Sequence, residues 1–180
     1  MQFNSLDFVI FCVIFFAFWP WFREGKQRRW AFLTLASFIF YGWWDARYLL
    51  LLVGNGLIDF YAAAAIERWP ARKKIWLTMS LAANLGSLAI FKYLEFFTQN
   101  ANHVLSLLGD QTQIPLVKLM LPVGISFYTF QSMSYTIDVY RGDLKPTRNV
   151  LHFFAYLSMF PQLVAGPIVR AADLLPQLMD

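Results

Sequence analysis

Residues 119–142 read LMLPVGISFYTFQSMSYTIDVYRG. The stretch is long enough to cross a bilayer, which takes about 20 residues as a helix. Its composition is not that of a plain crossing. Pro122 and Gly124 interrupt its start. Polar groups then recur at Ser126, Tyr128, Thr129, Gln131, Ser132, Ser134, Tyr135, Thr136 and Asp138, and the stretch ends in Tyr140 and Arg141. Polar side chains at this density are costly against lipid, so most must face protein or a water-filled cavity. On a helix at about 100° per residue, Gly124, Tyr128, Gln131, Tyr135 and Asp138 share one narrow stripe. Ser132, Thr136 and Thr129 widen it on one side, while Phe130, Met133, Ile137 and Tyr140 take the opposite face. Such a helix belongs at the centre of a bundle. Two roles fit the stripe. Hydroxyl and small residues let helices approach and hydrogen-bond, or the same groups line a tunnel for a polar substrate. Asp138 also stands three residues before Arg141, close enough for that arginine to offset its charge.

Composition agrees with a membrane chain. Of 180 residues, 58% are hydrophobic and 14% charged, with a mean hydropathy of +0.47. Soluble domains run nearer about 45–50% apolar and about 25% charged. The formal charge of +4 does not point to nucleic acid, because the basic residues sit in short clusters between apolar runs. No nucleic-acid partner is expected. No phosphate-cradling glycine loop, Ser-His-Asp spacing or His-Glu-x-x-His is present. Cys12 is the single cysteine and lies in an apolar run; His103 and His152 are far apart. No metal site is therefore expected.

Working outward, the apolar runs predict an all-α, polytopic membrane bundle of about six transmembrane helices. They fall near residues 6–22, 30–44, 48–66, 75–97, 119–140 and 150–165. Met1 to Asp7 carries no Lys or Arg, so the first run reads as a retained helix rather than a cleaved leader. Asn55 and Asp59 share one face of the third helix and suit interhelical hydrogen bonds or a polar path. In the fourth, Lys92 is spaced to pair with Glu95. Loops 23–29, 67–74 and 141–148 hold eleven basic residues, against Arg47 and Lys118 in the segments expected on the other side. Each basic loop is two helices from the next, so all three fall on one face. That sets the N-terminus outside and these loops in the cytoplasm.

Three motifs carry a resemblance. They are Pro-x-Gly-Ile-Ser-Phe-Tyr-x-Phe-Gln at 122–131, Ser-Tyr-x-x-Asp-x-Tyr-Arg at 134–141, and Phe-Pro-x-x-x-Ala-Gly-Pro-Ile at 160–168. FYGWWDARYLLLL at 40–52 and FKY at 91–93 add to them. Together they resemble the membrane-bound O-acyltransferase family, in particular its bacterial alginate O-acetylation branch, which is similar to the D-alanyl transfer proteins of teichoic acid modification. The likeness covers the whole chain, but family members are well over twice as long. Their signature histidine lies in a later membrane segment. Residues 1–180 are thus expected to be the N-terminal portion of a larger acyltransferase domain, inactive alone. Neither His103 nor His152 sits in the family's histidine motif, so no catalytic residue is assigned in this chain.

The resemblance implies transfer of an acetyl or other acyl group from a cytoplasmic thioester such as acetyl-CoA. The acceptor would be a hydroxyl of an extracytoplasmic polysaccharide such as alginate, or a periplasmic relay protein. No covalently bound cofactor is implied, and the setting would be the bacterial inner membrane, with its lipid as a further partner. Tyr128, Gln131, Tyr135 and Asp138 become candidates for the tunnel wall. Pro122, Gly124, Ser126, Ser134, Arg141, Pro161, Gly166, Pro167 and Arg170 become motif or structural positions, with a backbone break expected where the sixth helix ends. Two other classes remain: a membrane transporter, which broken helices and buried polar groups suit, and a non-catalytic membrane scaffold.

Overall fold

The computed structural model describes residues 3–43, 45–108, 114–116, 119–166 and 169–178, and its elements there are all helical. Lys118 and Pro167 lie outside these residues. Helix α1 (Leu6–Phe22) starts on Ser5, whose Oγ accepts the Phe8 N–H at 3.2 Å. Helix α2 (Lys26–Gly42) runs to a tight turn, and α3 (Ala46–Arg68) begins on Asp45. That carboxylate accepts the Arg47 N–H at 2.9 Å and pairs with its guanidinium at 2.8 Å. The Arg47 side chain thereby holds the Asp45 carboxyl below the usual carboxylate range. A single 3-10 turn, Pro70–Arg72, leads into α4 (Lys73–Leu107). Then follow α5 (Ile125–Arg141), α6 (Val150–Leu157), α7 (Phe160–Ala165) and α8 (Ala171–Gln177).

Helices α2 and α3 shift from the expected ends by two to four residues, and three larger differences from the sequence reading follow. Helix α4 continues through Leu107, past the expected end at 97, because the polar groups there are satisfied within the helix. Thr98 Oγ1 donates to the Leu94 carbonyl at 2.8 Å and Asn100 Nδ2 to the Phe96 carbonyl at 2.7 Å. Helix α5 starts at Ile125 rather than near 119. Gly124 precedes it with a φ of +76°. That is the left-handed conformation that favours glycine. The expected helix at 150–165 is two short ones. Pro161 has no N–H to continue α6. Ser158 turns its hydroxyl onto the Phe154 carbonyl at 2.6 Å, and the Phe160 N–H finds Ser37 Oγ on α2 at 3.2 Å.

Helices α3, α4 and α5 pack together as the centre. Helix α2 lies against α6, and α1 covers α2. Gly56 permits the close crossing of α3 on α6; a Cβ there would meet Phe154 and Leu157 side-chain atoms at 2.8 Å. Beside an apolar core, burial departs from that of a soluble domain. Ser80, Asn84, Thr129, Ser132, Thr136 and Asp59 are fully buried, while large apolar side chains of α1 and α4 such as Val13, Phe16, Ile75, Met79 and Ile90 are exposed. Lipid is the solvent that such a surface fits. Two stretches, Ala46–Arg68 and Pro70–Leu107, are long and apolar enough to cross a membrane. Helix α1 is apolar but has only 17 residues, short of the roughly 20 that a straight crossing takes. Of the six expected crossings, two therefore meet both criteria. Helix α5 is too polar and α6 too short.

Side-chain contacts gather the three basic loops at one end. Arg29 Nη2 donates to the Leu178 carbonyl at 2.7 Å, Arg170 joins α8 to Asp138 and Asp143, and the Lys73 ammonium sits 4.6 Å from the Tyr140 ring centre. At the other end, Tyr41 and Tyr48 hydroxyls donate to the Val123 and Met120 carbonyls at 3.0 and 2.8 Å.

Candidate functional site

Helix α5 is central, as its polar stripe predicts. Ten of its 17 residues are buried, and of the face assigned to lipid, Phe130 is exposed while Met133 is buried. One side of the helix meets α3 and α4 around Asp59. The Asp59 carboxylate accepts from Ser80 Oγ and from Asn84 Nδ2 (2.8 and 3.0 Å) on α4, and from Ser132 Oγ and Thr136 Oγ1 (3.2 Å) on α5. Ser80 and Asn84 are four residues apart, as are Ser132 and Thr136, so each helix offers two donors from one face. No cation pairs with Asp59 among the described residues. Hydroxyl and amide donors alone surround the carboxylate. The interhelical reading of Asn55 also holds: its Nδ2 reaches Ser87 Oγ on α4 at 3.3 Å.

The other side of α5 carries the four tunnel candidates, all buried. Gln131 Nε2 donates to the Tyr156 carbonyl at 2.9 Å, and the Tyr156 hydroxyl returns a bond to the Gln131 carbonyl at 3.0 Å. Ser134 Oγ also donates to that Gln131 carbonyl at 3.0 Å. Tyr135 accepts the Thr147 N–H on its hydroxyl at 3.0 Å. Asp138 pairs with Arg170 at 2.7 Å and accepts the Ala172 N–H at 3.3 Å. Its partner is thus Arg170 rather than Arg141. The Arg141 side chain points outward, and Gly142 ends the helix with a φ of +87°. The turn lets the Asp143 N–H close on the Asp138 carbonyl at 2.9 Å, as left-handed glycines after helices commonly do. Lys92 and Glu95 do not pair either; Glu95 accepts from Gln99 at 3.2 Å.

Four buried oxygens near the stripe stand apart. Thr129 Oγ1, Gln131 Oε1 and Asn84 Oδ1 have no hydrogen-bond partner within the described residues, and Tyr128 Oη has only the Tyr41 hydroxyl beside it. A buried polar atom without a partner is costly, about 1–3 kcal/mol. Tyr128 has the Tyr41 ring edge-on at 6.3 Å, and its hydroxyl approaches that of Tyr41. The Tyr41 hydroxyl spends its own proton on the Val123 carbonyl. The stripe therefore divides: Tyr135 and Asp138 brace the fold, whereas Thr129 and the Gln131 side-chain oxygen are left open.

The motif positions are structural where they are described. Pro122 is buried, and its carbonyl accepts the Ile125 N–H at 3.2 Å to start α5. Ser126 is half-buried on the first turn. A Cβ at Gly124 would meet the Leu163 carbonyl oxygen at 3.0 Å, and one at Gly166 would meet Gln162 atoms at 2.7 Å. The break anticipated at the end of the sixth helix falls earlier, at Ser158–Met159, with Pro161 opening α7 and Gly166 closing it. Arg170 is half-exposed at the basic end.

Asp59 makes the interhelical bonds its spacing from Asn55 suits, whereas Ser80, Asn84, Tyr156 and His152 make contacts that spacing did not rank. The i, i+4 pairing of Ser80 with Asn84 and of Ser132 with Thr136 was the available signal. His152 is fully buried. Its Nε2 faces the Leu175 carbonyl at 3.1 Å, which fixes the proton there, and Nδ1 takes the Thr147 hydroxyl at 3.0 Å. The Trp30 ring lies at 4.5 Å. With both nitrogens engaged, this histidine holds structure. His103 is exposed on the last turns of α4. No cluster of three or more His, Cys, Asp or Glu side chains able to hold a metal occurs among the described residues.

Comparison with known proteins bears out the resemblance carried by the motifs. The chain is 38% identical over 183 residues to a probable alginate O-acetylase of Pseudomonas putida, covering 98% of this chain and 37% of that protein. It is 37% identical to the probable alginate O-acetylase of Pseudomonas aeruginosa, over 98% of this chain and 34% of that protein. A peptidoglycan O-acetyltransferase of Helicobacter pylori is 34% identical over 174 residues, or 82% of this chain and 32% of that protein. The chain thus spans about a third of the length of the curated relatives it matches. No known family profile and no solved structure matches it.

Proposed function

The chain is a homologue of bacterial O-acetylases along nearly all its length, and from that premise we propose that it forms one wall of a membrane O-acyltransferase. In this reading the bundle is multi-pass in the bacterial inner membrane, with its N-terminus outside and its basic end in the cytoplasm. The donor is an acyl thioester such as acetyl-CoA, approaching from the basic end. The acceptor is a hydroxyl of an extracytoplasmic polysaccharide such as alginate, or of a periplasmic relay protein. The acceptor oxygen attacks the thioester carbonyl, a general base takes its proton, and the thiol leaves. That base comes from outside these residues, because His152 is engaged at both nitrogens and no other candidate base is assigned here. General acid–base help of this kind is worth about 10²–10⁴-fold. This chain supplies position and dryness.

The observation that carries the reading is the pair of stripe oxygens beside Tyr128, namely Thr129 Oγ1 and Gln131 Oε1, buried in the most polar helix and lacking a partner among the described residues. It gives a discriminating test. Tyr128→Phe removes a hydroxyl whose side-chain neighbour is the Tyr41 hydroxyl, so a packing role predicts at most a small loss of stability and unchanged activity. A wall role predicts that acetyl transfer by the full-length protein in membranes falls at least tenfold with expression intact. Unchanged transfer from labelled acetyl-CoA would reject the wall.

A further inference from the structure

A cleft of about 300 Å³ opens at the basic end, between the α3–α4 turn and the loop after α5. Glu67 and Lys73 line it from one side, Arg141 and Lys145 from the other, with Tyr140 and Ile66 between them. The Lys73 ammonium rests 4.6 Å from the Tyr140 ring centre, which couples the two sides. Lys73, Arg141 and Lys145 make no ion pair among the described residues. Three cations around one cleft repel one another, and Glu67 offsets one charge only. Helix α4 begins at the same point. It has no side-chain cap, and the preceding 3-10 turn takes the Lys73 N–H on the Pro70 carbonyl, so the cleft lies at the positive end of a long helix. Cations around a cleft at the positive end of a helix make an anion site.

The setting indicates which anion. The cleft lies where α3 meets α4, and these are the helices long and apolar enough to cross a membrane. Trp69, between them, is exposed, and tryptophan favours the headgroup level. Basic pockets between membrane helices take lipid headgroups. We propose that this cleft binds the phosphate of an anionic phospholipid. The inference rests on the membrane placement and not on acyl transfer.

The test uses the 180-residue chain in detergent, offered phosphatidylglycerol or phosphatidylcholine and read by native mass spectrometry. One phosphatidylglycerol is expected to be retained per chain, in preference to phosphatidylcholine. At about fivefold per cation near a membrane surface, Lys73→Gln with Arg141→Gln and Lys145→Gln lowers affinity about 100-fold. Lys26→Gln with Arg28→Gln, cations of another basic loop, changes it less than twofold. Glu67→Gln raises affinity about fivefold, a gain that misfolding cannot produce. Equal loss in both cation variants would mean diffuse charge and overturn the site. So would no gain in Glu67→Gln, or displacement of the lipid by millimolar inorganic phosphate, which would assign the cleft to a soluble anion. Recovery of the chain in the membrane fraction, with no preference for phosphatidylglycerol, sinks the cleft alone; absence from that fraction sinks the membrane placement.

Discussion

Asp59 is the residue on which three helices converge, and its four donor side chains come from two of them. Interhelical hydrogen bonds in membrane proteins average about 0.6 kcal/mol each, so Asp59→Ala is expected to cost about 2–3 kcal/mol. Unfolding in mixed micelles would measure it. Ser132→Ala and Asn84→Ala should each cost less, and the double variant should depart from additivity because both act through one carboxylate. Additive losses would show that the donors are independent of Asp59. This residue also marks a limit of sequence reading. Its spacing from Asn55 gave a shared helix face, but nothing local revealed that Ser132 and Thr136, more than 70 positions away, would complete the cluster. Long-range partners of a polar residue are set by packing, which a single sequence does not display.

At the scale of elements, the joint between α5 and α7 depends on Gly124. Two terms act there: a left-handed backbone and a carbonyl oxygen 3.0 Å from where a Cβ would stand. Gly142 has the backbone term alone, at φ +87° with nothing within 4 Å. Gly142→Ala should therefore cost about 1–2 kcal/mol, and Gly124→Ala measurably more; equal thermal shifts would remove the close approach to Leu163 as a factor. Helix existence was readable from apolar runs, and α1 falls on residues 6–22 as expected. Helix ends were less so. Polar residues after 97 look like a loop, yet Thr98 and Asn100 bond back to their own helix and prolong it. A proline in an apolar run announces an interruption, but the chain gives way at Ser158, three residues before Pro161.

For the whole molecule, the charge pattern and the fold agree on polarity. The loops at 23–29, 67–74 and 141–148 were grouped by counting basic residues, and side-chain contacts bring them to one end. Reporter fusions at residues 26, 72 and 145 should all read as cytoplasmic, and one opposite result would break the proposed topology. The stripe of α5 was legible as central because periodicity reports burial directly. Its division into bracing and open groups was not, since Tyr135 and Asp138 find partners in a loop and in α8, and Gln131 Oε1 finds none among the described residues.

The Asp59 cluster also bears on how the chain is made. Helix α3 emerges from the ribosome with a carboxylate near its middle, where an acidic residue raises the insertion free energy by about 2.5–3.5 kcal/mol. Its first donors, Ser80 and Asn84, are synthesised 21 and 25 residues later. At about 5–20 residues per second that is a delay of roughly one to five seconds. Ser132 and Thr136 follow more than 70 residues on. Under the proposed multi-pass placement, helix α3 is therefore a poor solitary passenger, and the two longest helices are best delivered to the bilayer as a hairpin, the carboxylate already wrapped before lipid closes around it.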